Sequence, residues 1–263
     1  SAGAGPDTIT FADDYTLTLV GSQQPANPTE ITINGTGAAN TIHQANAAAN
    51  TATYRVFQVA STGIFTLNDV TVRHGRCDGS CAGGGGFVNI GGGILREGET
   101  NINNSVISNN IAAGGGGGIY HSYQYLKKLT IEDSILNSNI SSTNGGAIFT
   151  NGLLDISNST FENNSAFSGG AIAKFGTPVS SLSGLVFFNN SATNHGGAIY
   201  LWSASNVTIT NTDFEQNAAL EGSGGGIHND ANSPTITTST FRNNNAWFGG
   251  GGISNWSGSN PVL

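Results

Sequence analysis

Hydrophobic residues return along this chain at a long, regular interval, and only locally do they alternate with polar ones. The alternation, as in Leu154-Asp155-Ile156, has the two-residue period of a β-strand. No stretch sustains the period of an amphipathic helix, and the abundant Gly, Asn, Ser and Thr are poor helix formers. Two markers carry the long interval. A Gly-Gly-x-Ile element places its last residue at Ile94, Ile119, Ile148, Ile172, Ile199, Ile227 and Ile253, steps of 25, 29, 24, 27, 28 and 26 residues. An aromatic or aliphatic residue followed three positions later by Asn gives Ile107/Asn110, Leu136/Asn139, Phe161/Asn164, Phe187/Asn190, Phe214/Asn217 and Phe241/Asn244, in steps of 29, 25, 26, 27 and 27.

Alignment on the second marker sorts the remaining positions. Five residues before it stand Ile102, Ile131, Ile156, Leu182, Ile209 and Ile236, an inward column. Three before it stand Asn104, Asp133, Asn158, Gly184, Asn211 and Thr238, mostly turn formers. A unit of about 26 residues, read as three short strands and three turns, cannot bury its own apolar face, whereas stacked copies can. Strands stack at about 4.8 Å, so equivalent positions form ladders. The prediction is an internal stack of Phe161, Phe187, Phe214 and Phe241 beside an amide ladder of Asn164, Asn190, Asn217 and Asn244, the kind of ladder that stabilises stacked strands. The Gly-Gly pair suits a corner needing positive φ or close backbone approach.

The expected fold is therefore all-β, a right-handed parallel β-helix of roughly nine or ten coils, with the hand taken by analogy to known folds of this repeat length. Residues 1–60 read as irregular first coils and residues 61–263 as regular repeats of one continuous domain. Strands are expected at 7–11, 15–19, 30–33, 55–59 and 64–67, with 35–52 a loop excursion and 121–128 a projecting loop.

Charge and composition narrow the classes. Eight Lys and Arg against 16 Asp and Glu give a net charge of −8, which argues against a nucleic-acid partner. With 37% hydrophobic and 8% aromatic residues, the chain is too apolar for a disordered segment. No apolar run is long enough to span a membrane as a helix. Cys77 and Cys81 lie in the Gly-rich segment HGRCDGSC, read as a local disulfide of an exported protein. His74, Cys77 and Cys81 would supply only three ligands where structural zinc takes four, so no metal is expected. The chain starts at Ser1 and contains no Met, which reads as a processed product or a fragment.

The GGA[ILV] and FxxN motifs, literal at 145–148, 169–172 and 196–199 and at 161–164, 187–190, 214–217 and 241–244, resemble the repeats of the polymorphic outer-membrane proteins. The opening AGPDTITF, with TLTL and ITINGTG after it, looks like large secreted bacterial β-helix proteins. The resemblance implies export, a bacterial surface or extracellular location, and structural or adhesive roles.

Catalytic chemistry finds little support in the residues. A glycoside hydrolase needs two carboxylates flanking one bond. Glu162 and Glu215 are equivalent but two coils apart with Phe188 between. Asp213 and Glu215, flanking inward Phe214, are the best acid or calcium candidates, and Arg242 is placed to pair with Glu215 at the surface. The histidines, His43, His74, His121, His195 and His228, read mostly as exposed loop residues without ligand spacing. No cofactor is expected, and the enzyme alternative is a polysaccharide lyase or glycoside hydrolase.

Outward positions are more suggestive. After each corner Ile come Leu95, Tyr120, Phe149, Ala173, Tyr200, His228 and Ser254. Tyr120, Phe149 and Tyr200, with Trp202 nearby, form a candidate contact surface for sugars or another chain, unless the loop around Tyr123 and Tyr125 covers part of it. The terminal GGGGISNWSGSNPVL carries no capping unit, so head-to-tail stacking into a filament, or the stalk of a larger protein, is the structural expectation. The functional expectation is a non-catalytic, secreted structural or adhesive protein whose partner is itself or a glycan, with a polysaccharide-binding module as the alternative.

Overall fold

The structure is a computed structural model and describes residues 5–79, 81, 89–122, 127–203, 206–231 and 233–263. Every regular element among them is a strand. One coil shows the plan: Leu154–Ser157, Thr160–Glu162, Ser165–Ala166 and Ile172–Phe175 follow one another around the axis. Each pairs in parallel with its counterpart one coil on, through Ile156↔Leu182, Phe161↔Phe187, Ala166↔Ala192 and Ile172↔Ile199. The strands build four parallel sheets of 9, 9, 7 and 8 members, and hence a solenoid of nine coils.

A coil thus carries four strands where the alternation predicted three. In most coils the extra strand has two residues, as in Ser165–Ala166, too few to show a period. Its pairing is supplied by neighbouring coils, with Ser165 opposite Ser191 and Ala166 opposite Ala192.

Left-handed backbone turns the corners. The residue three before the inward aromatic has φ between 48 and 66° in all six copies: Asn104, Asp133, Asn158, Gly184, Asn211 and Thr238. A short polar side chain tolerates this region better than a β-branched one, and Thr238 is the exception. At the Gly-Gly corner the two glycines serve different needs. Gly145 has φ 66°. A Cβ on Gly146 would lie 2.1 Å from the carbonyl oxygen of Gly170 in the next coil, so close backbone approach forbids any side chain there.

Inside the coil both ladders form. Phe161, Phe187 and Phe214 are fully buried and Phe241 half-buried. Their rings stack at 4.9, 4.9 and 4.6 Å, with interplanar angles of 17, 5 and 1°. Burial of each such ring contributes about 2–3 kcal/mol. The asparagine carboxamides leave no valence idle. Asn164 accepts at Oδ1 from the backbone N and Nδ2 of Asn139. Its own Nδ2 donates to Leu136 O at 2.8 Å and Asn190 Oδ1 at 3.0 Å. The pattern repeats at Asn190 and Asn217, and Asn244 closes it by donating to Phe214 O.

The second and third coils are the longer ones. Asn34, Asn68 and Asn103 join by side-chain bonds across 34 and 35 residues. The stretch 35–52, expected as a loop, contains the strand Thr41–Gln44, paired on both sides with Tyr15–Thr18 and Thr71–Arg73. Thr41 and Ile42 suit a strand, and pairing from two neighbouring coils holds one within an otherwise Gly-, Ala- and Asn-rich stretch. Arg55, fully buried, ties the segment before the second coil to the corner of a later one: it donates to Gln23 Oε1 at 3.0 Å and Ile90 O at 3.2 Å.

Candidate functional site

The column after each corner Ile does face away from the coil interior, yet it is not an open stripe. Leu95, Ala173 and His228 have no exposed surface, Ser254 has 5% and Phe149 9%; Tyr120 and Tyr200 are half-buried. The corner segments between the third and fourth strands rise beside this sheet and cover it. A side chain on Gly115 would already touch the Phe149 ring and the Thr143 hydroxyl. Tyr123 and Tyr125, expected to cover this column, lie outside the described residues.

Between that wall and the sheet runs a groove of about 510 Å³. Its wall comes from Ser142, Thr143 and Asn144, then Phe167 and Ser168, then Asn194 and His195, one group from each of three successive coils. Its floor is Phe175, Tyr200 and Trp202. The register explains the opening. Phe149, Ala173 and Tyr200 are direct neighbours on the fourth sheet, and Ala173 contributes only a methyl group to the column. Phe175, two residues on and on the same face, fills part of that gap, its ring 5.1 Å from Phe149, 5.7 Å from Tyr200 and 4.9 Å from Trp202. Tyr120 stacks on Phe149 at 5.0 Å, extending the aromatic belt one coil further.

At the other end the belt becomes imidazole. His195 stacks on His228 at 4.3 Å and packs edge-on against Trp256 at 5.0 Å. His195 Nδ1 lies 3.2 Å from the backbone N of Ser223 and so acts as the acceptor, which leaves Nε2–H as the donor of the neutral ring. Burial lowers the His195 pKa below its ordinary value, against an opposing pull from the Asp230 carboxylate. His228 is fully buried, neither ring nitrogen meets a partner, and burial pushes it down to about 4. The Tyr200 phenol is shifted up by burial and by Asp230.

The contact residues proposed from sequence thus divide. Tyr200 and Trp202 line the groove, and Phe149 and Tyr120 support it through ring contacts. Phe175, His195 and Phe167 were not foreseen. Phe175 was within reach, because it holds the register position of Trp202 and Asp230. His195 and Phe167 sit on corners without an apolar period, and nothing in their spacing marks them.

The remaining candidates lie elsewhere. Asp213 and Glu215 flank Phe214 on the outer face of the second sheet, away from the groove lining. Asp213 accepts from the Thr240 hydroxyl, and Glu215 pairs with exposed Arg242 at 3.4 Å. Among the described residues no group of three or more His, Cys, Asp or Glu is arranged to hold a metal ion. Cys77 and Cys81 form a disulfide with Cα atoms 5.1 Å apart. The histidines depart most from expectation: His43, His121 and His228 are buried, because at their positions the coil packing covers the ring. His121 faces the interior with Arg96 and Lys174, and its Nδ1 is 2.7 Å from the Thr150 hydroxyl. Lys174 donates to the carbonyls of Phe175 and Gly176, and burial pushes it down to about 8.

A stack of parallel coils with a side-chain ladder inside and a lateral groove outside is a β-helix, and the particular family follows from the repeats. The family model described as the right-handed β-helix region matches residues 93–263, more than half of the chain, and the protein belongs to that family. No curated protein and no solved structure matches the chain. No helix is long and apolar enough to cross a membrane among the described residues.

Proposed function

We propose that this protein is a non-catalytic, adhesive β-helix of the bacterial exterior, and that the groove on its fourth sheet holds a glycan. The observation that carries the reading is the composition of the groove: aromatic rings on the floor, and hydroxyls, amides, one imidazole and the Phe167 ring on the wall. Sugars present apolar C–H faces and a rim of hydroxyls, and this pairing of surfaces meets both. The described lining contains no carboxylate, which favours holding a chain over cleaving one, since glycoside hydrolysis calls for a pair of them. The likeness to polymorphic outer-membrane-protein repeats supports a surface location. A disulfide in a short loop suits an oxidising compartment.

The test is retention on polysaccharide-containing gels together with chromatography of the polysaccharide after incubation. The expected result is retardation of the protein with the polymer's length unchanged, and loss of retardation in Tyr200→Ala and Trp202→Ala. Shortening of the polymer, or retardation untouched by both substitutions, refutes the reading.

A further inference from the structure

We infer that the groove is built for an uncharged polysaccharide segment lying along the solenoid axis, with His195 supplying a directional hydrogen-bond donor from Nε2. This inference rests on the glycan reading above and adds the charge, the direction and a specificity-determining contact.

Direction follows from the ladder. The wall residues Asn144, Ser168 and His195 each precede the first glycine of their corner pair, and they stand in successive coils: Asn144 bridges Ser168, and Gly169 N bonds His195 O. Three coils span about 10 Å along the axis, so polar groups are offered in a line parallel to it. Phe175 and Trp202 occupy the same register position in adjacent coils on the opposite side. A chain laid along the axis meets rings on one flank and, on the other, hydroxyls and amides interrupted by the Phe167 ring; a chain laid across it meets one coil's worth of each.

The charge follows from what lines and surrounds the groove. Its described lining holds no Lys or Arg, and its one imidazole is kept neutral by burial and by giving Nδ1 to the Ser223 N–H. Lys174 lies on the strand that carries Phe175 but points inward, with 1% exposure, its ammonium on backbone carbonyls. The Asp230 carboxylate lies beside the floor, in register with Trp202 and felt by both His195 and Tyr200. The whole chain carries −8. A polyanionic glycan entering here finds no cation in the described lining to offset its desolvation and meets a negative field, whereas an uncharged one loses nothing by it.

The experiment compares neutral polymers with charged versions of the same backbones. Hydroxyethyl cellulose, galactomannan, dextran and pullulan, each with its carboxymethylated form, are tested by affinity electrophoresis and titration calorimetry at low ionic strength. At least one neutral polymer is expected to bind about tenfold more tightly than its carboxymethylated form. Asp230→Asn is expected to narrow that gap by about two- to threefold. His195→Ala is expected to weaken neutral binding about tenfold while the fold, read by circular dichroism, is kept. If carboxymethylated forms bind as well as or better than the neutral ones, the charge inference is overturned and glycan binding stands. If His195→Ala binds like the wild type, the donor role is overturned. If no polymer of either kind binds, the glycan reading itself falls.

Discussion

The side-chain nitrogen of Asn164 lies 3.0 Å from the side-chain oxygen of Asn190 one coil further on, while the same nitrogen reaches back 2.8 Å to the carbonyl of Leu136. One carboxamide therefore ties three successive coils together. Replacing Asn164 with Ala strands the buried backbone N–H of Asn139 and one N–H of its Nδ2, whose other bond, to Ile107 O, remains. Each unsatisfied buried donor costs about 1–3 kcal/mol, so the variant is expected to lose about 3 kcal/mol or more. Asn164→Asp keeps an acceptor but faces Leu136 O and Asn190 Oδ1 with a carboxylate, and is expected to be worse. Urea denaturation, with hydrogen exchange at Asn139 as a local readout, checks both.

Close approach makes Gly146 the most sensitive corner position. The atom a Cβ would strike, 2.1 Å away, is the backbone oxygen of Gly170, which cannot rotate aside. Gly146→Ala is expected to weaken the stacking of the two coils, seen as a loss of soluble protein or a thermal midpoint lowered by about five to ten degrees, about what 2–3 kcal/mol represents in a domain of this size. The adjacent Ala147, already a side chain in the buried core, marks where the corner regains room.

Acid stability should follow the buried imidazoles. His43 and His228 are both pushed by burial from an ordinary 6.5 down to about 4. The folded state therefore binds fewer protons than the unfolded chain between these values. The stability from keeping the rings neutral is fully present above pH 6.5 and is lost as pH falls toward 4. Each ring accounts for up to roughly 3 kcal/mol of that loss. Urea midpoints should decline between pH 7 and pH 4, and His228→Phe should flatten the decline. An equally steep decline in that variant would refute the assignment.

Reduction should have a limited effect. The Cys77–Cys81 disulfide closes a loop of sequence separation 4, and the chain-entropy gain for so short a loop is about 2 kcal/mol. Neither thiol should react with iodoacetamide without reductant. The double Cys→Ser variant should keep the ladder coils intact, with faster hydrogen exchange confined to the neighbourhood of the strand Arg76–Cys77.

Neutralising the acids of the second sheet should change little. Glu215 pairs with Arg242 at 3.4 Å with the arginine 59% exposed, and exposed pairs contribute about 0–1 kcal/mol. Asp213→Asn with Glu215→Gln is expected to shift stability by less than that and to leave polysaccharide retention unchanged. A loss of retention would move the site to the second sheet.

Much of this molecule was legible in its repeats. Phe187 and Asn190 announce an inward ring and an inward amide because they recur in one register, and a residue that must stack on its own counterpart is constrained at every copy. The same reasoning placed Gly145 and Asn158 at corners, since backbone with φ of 66° and 49° tolerates few residue types. The histidines and the outward column were not legible in that way. Whether His228 or Phe149 meets water depends on how Ser142–Asn144 and Asn194–His195 lean over the fourth sheet, and those corners have no apolar period to read. The third strand was hidden because in most coils its two residues show no alternation; there it exists only through its neighbours. Sequence by itself determined the coil, its inward ladders and its corners, because each is a local demand repeated many times. Tertiary structure alone decided the groove, because it arises where one copy departs from the pattern, at Ala173, and several chain-distant corners close around the gap.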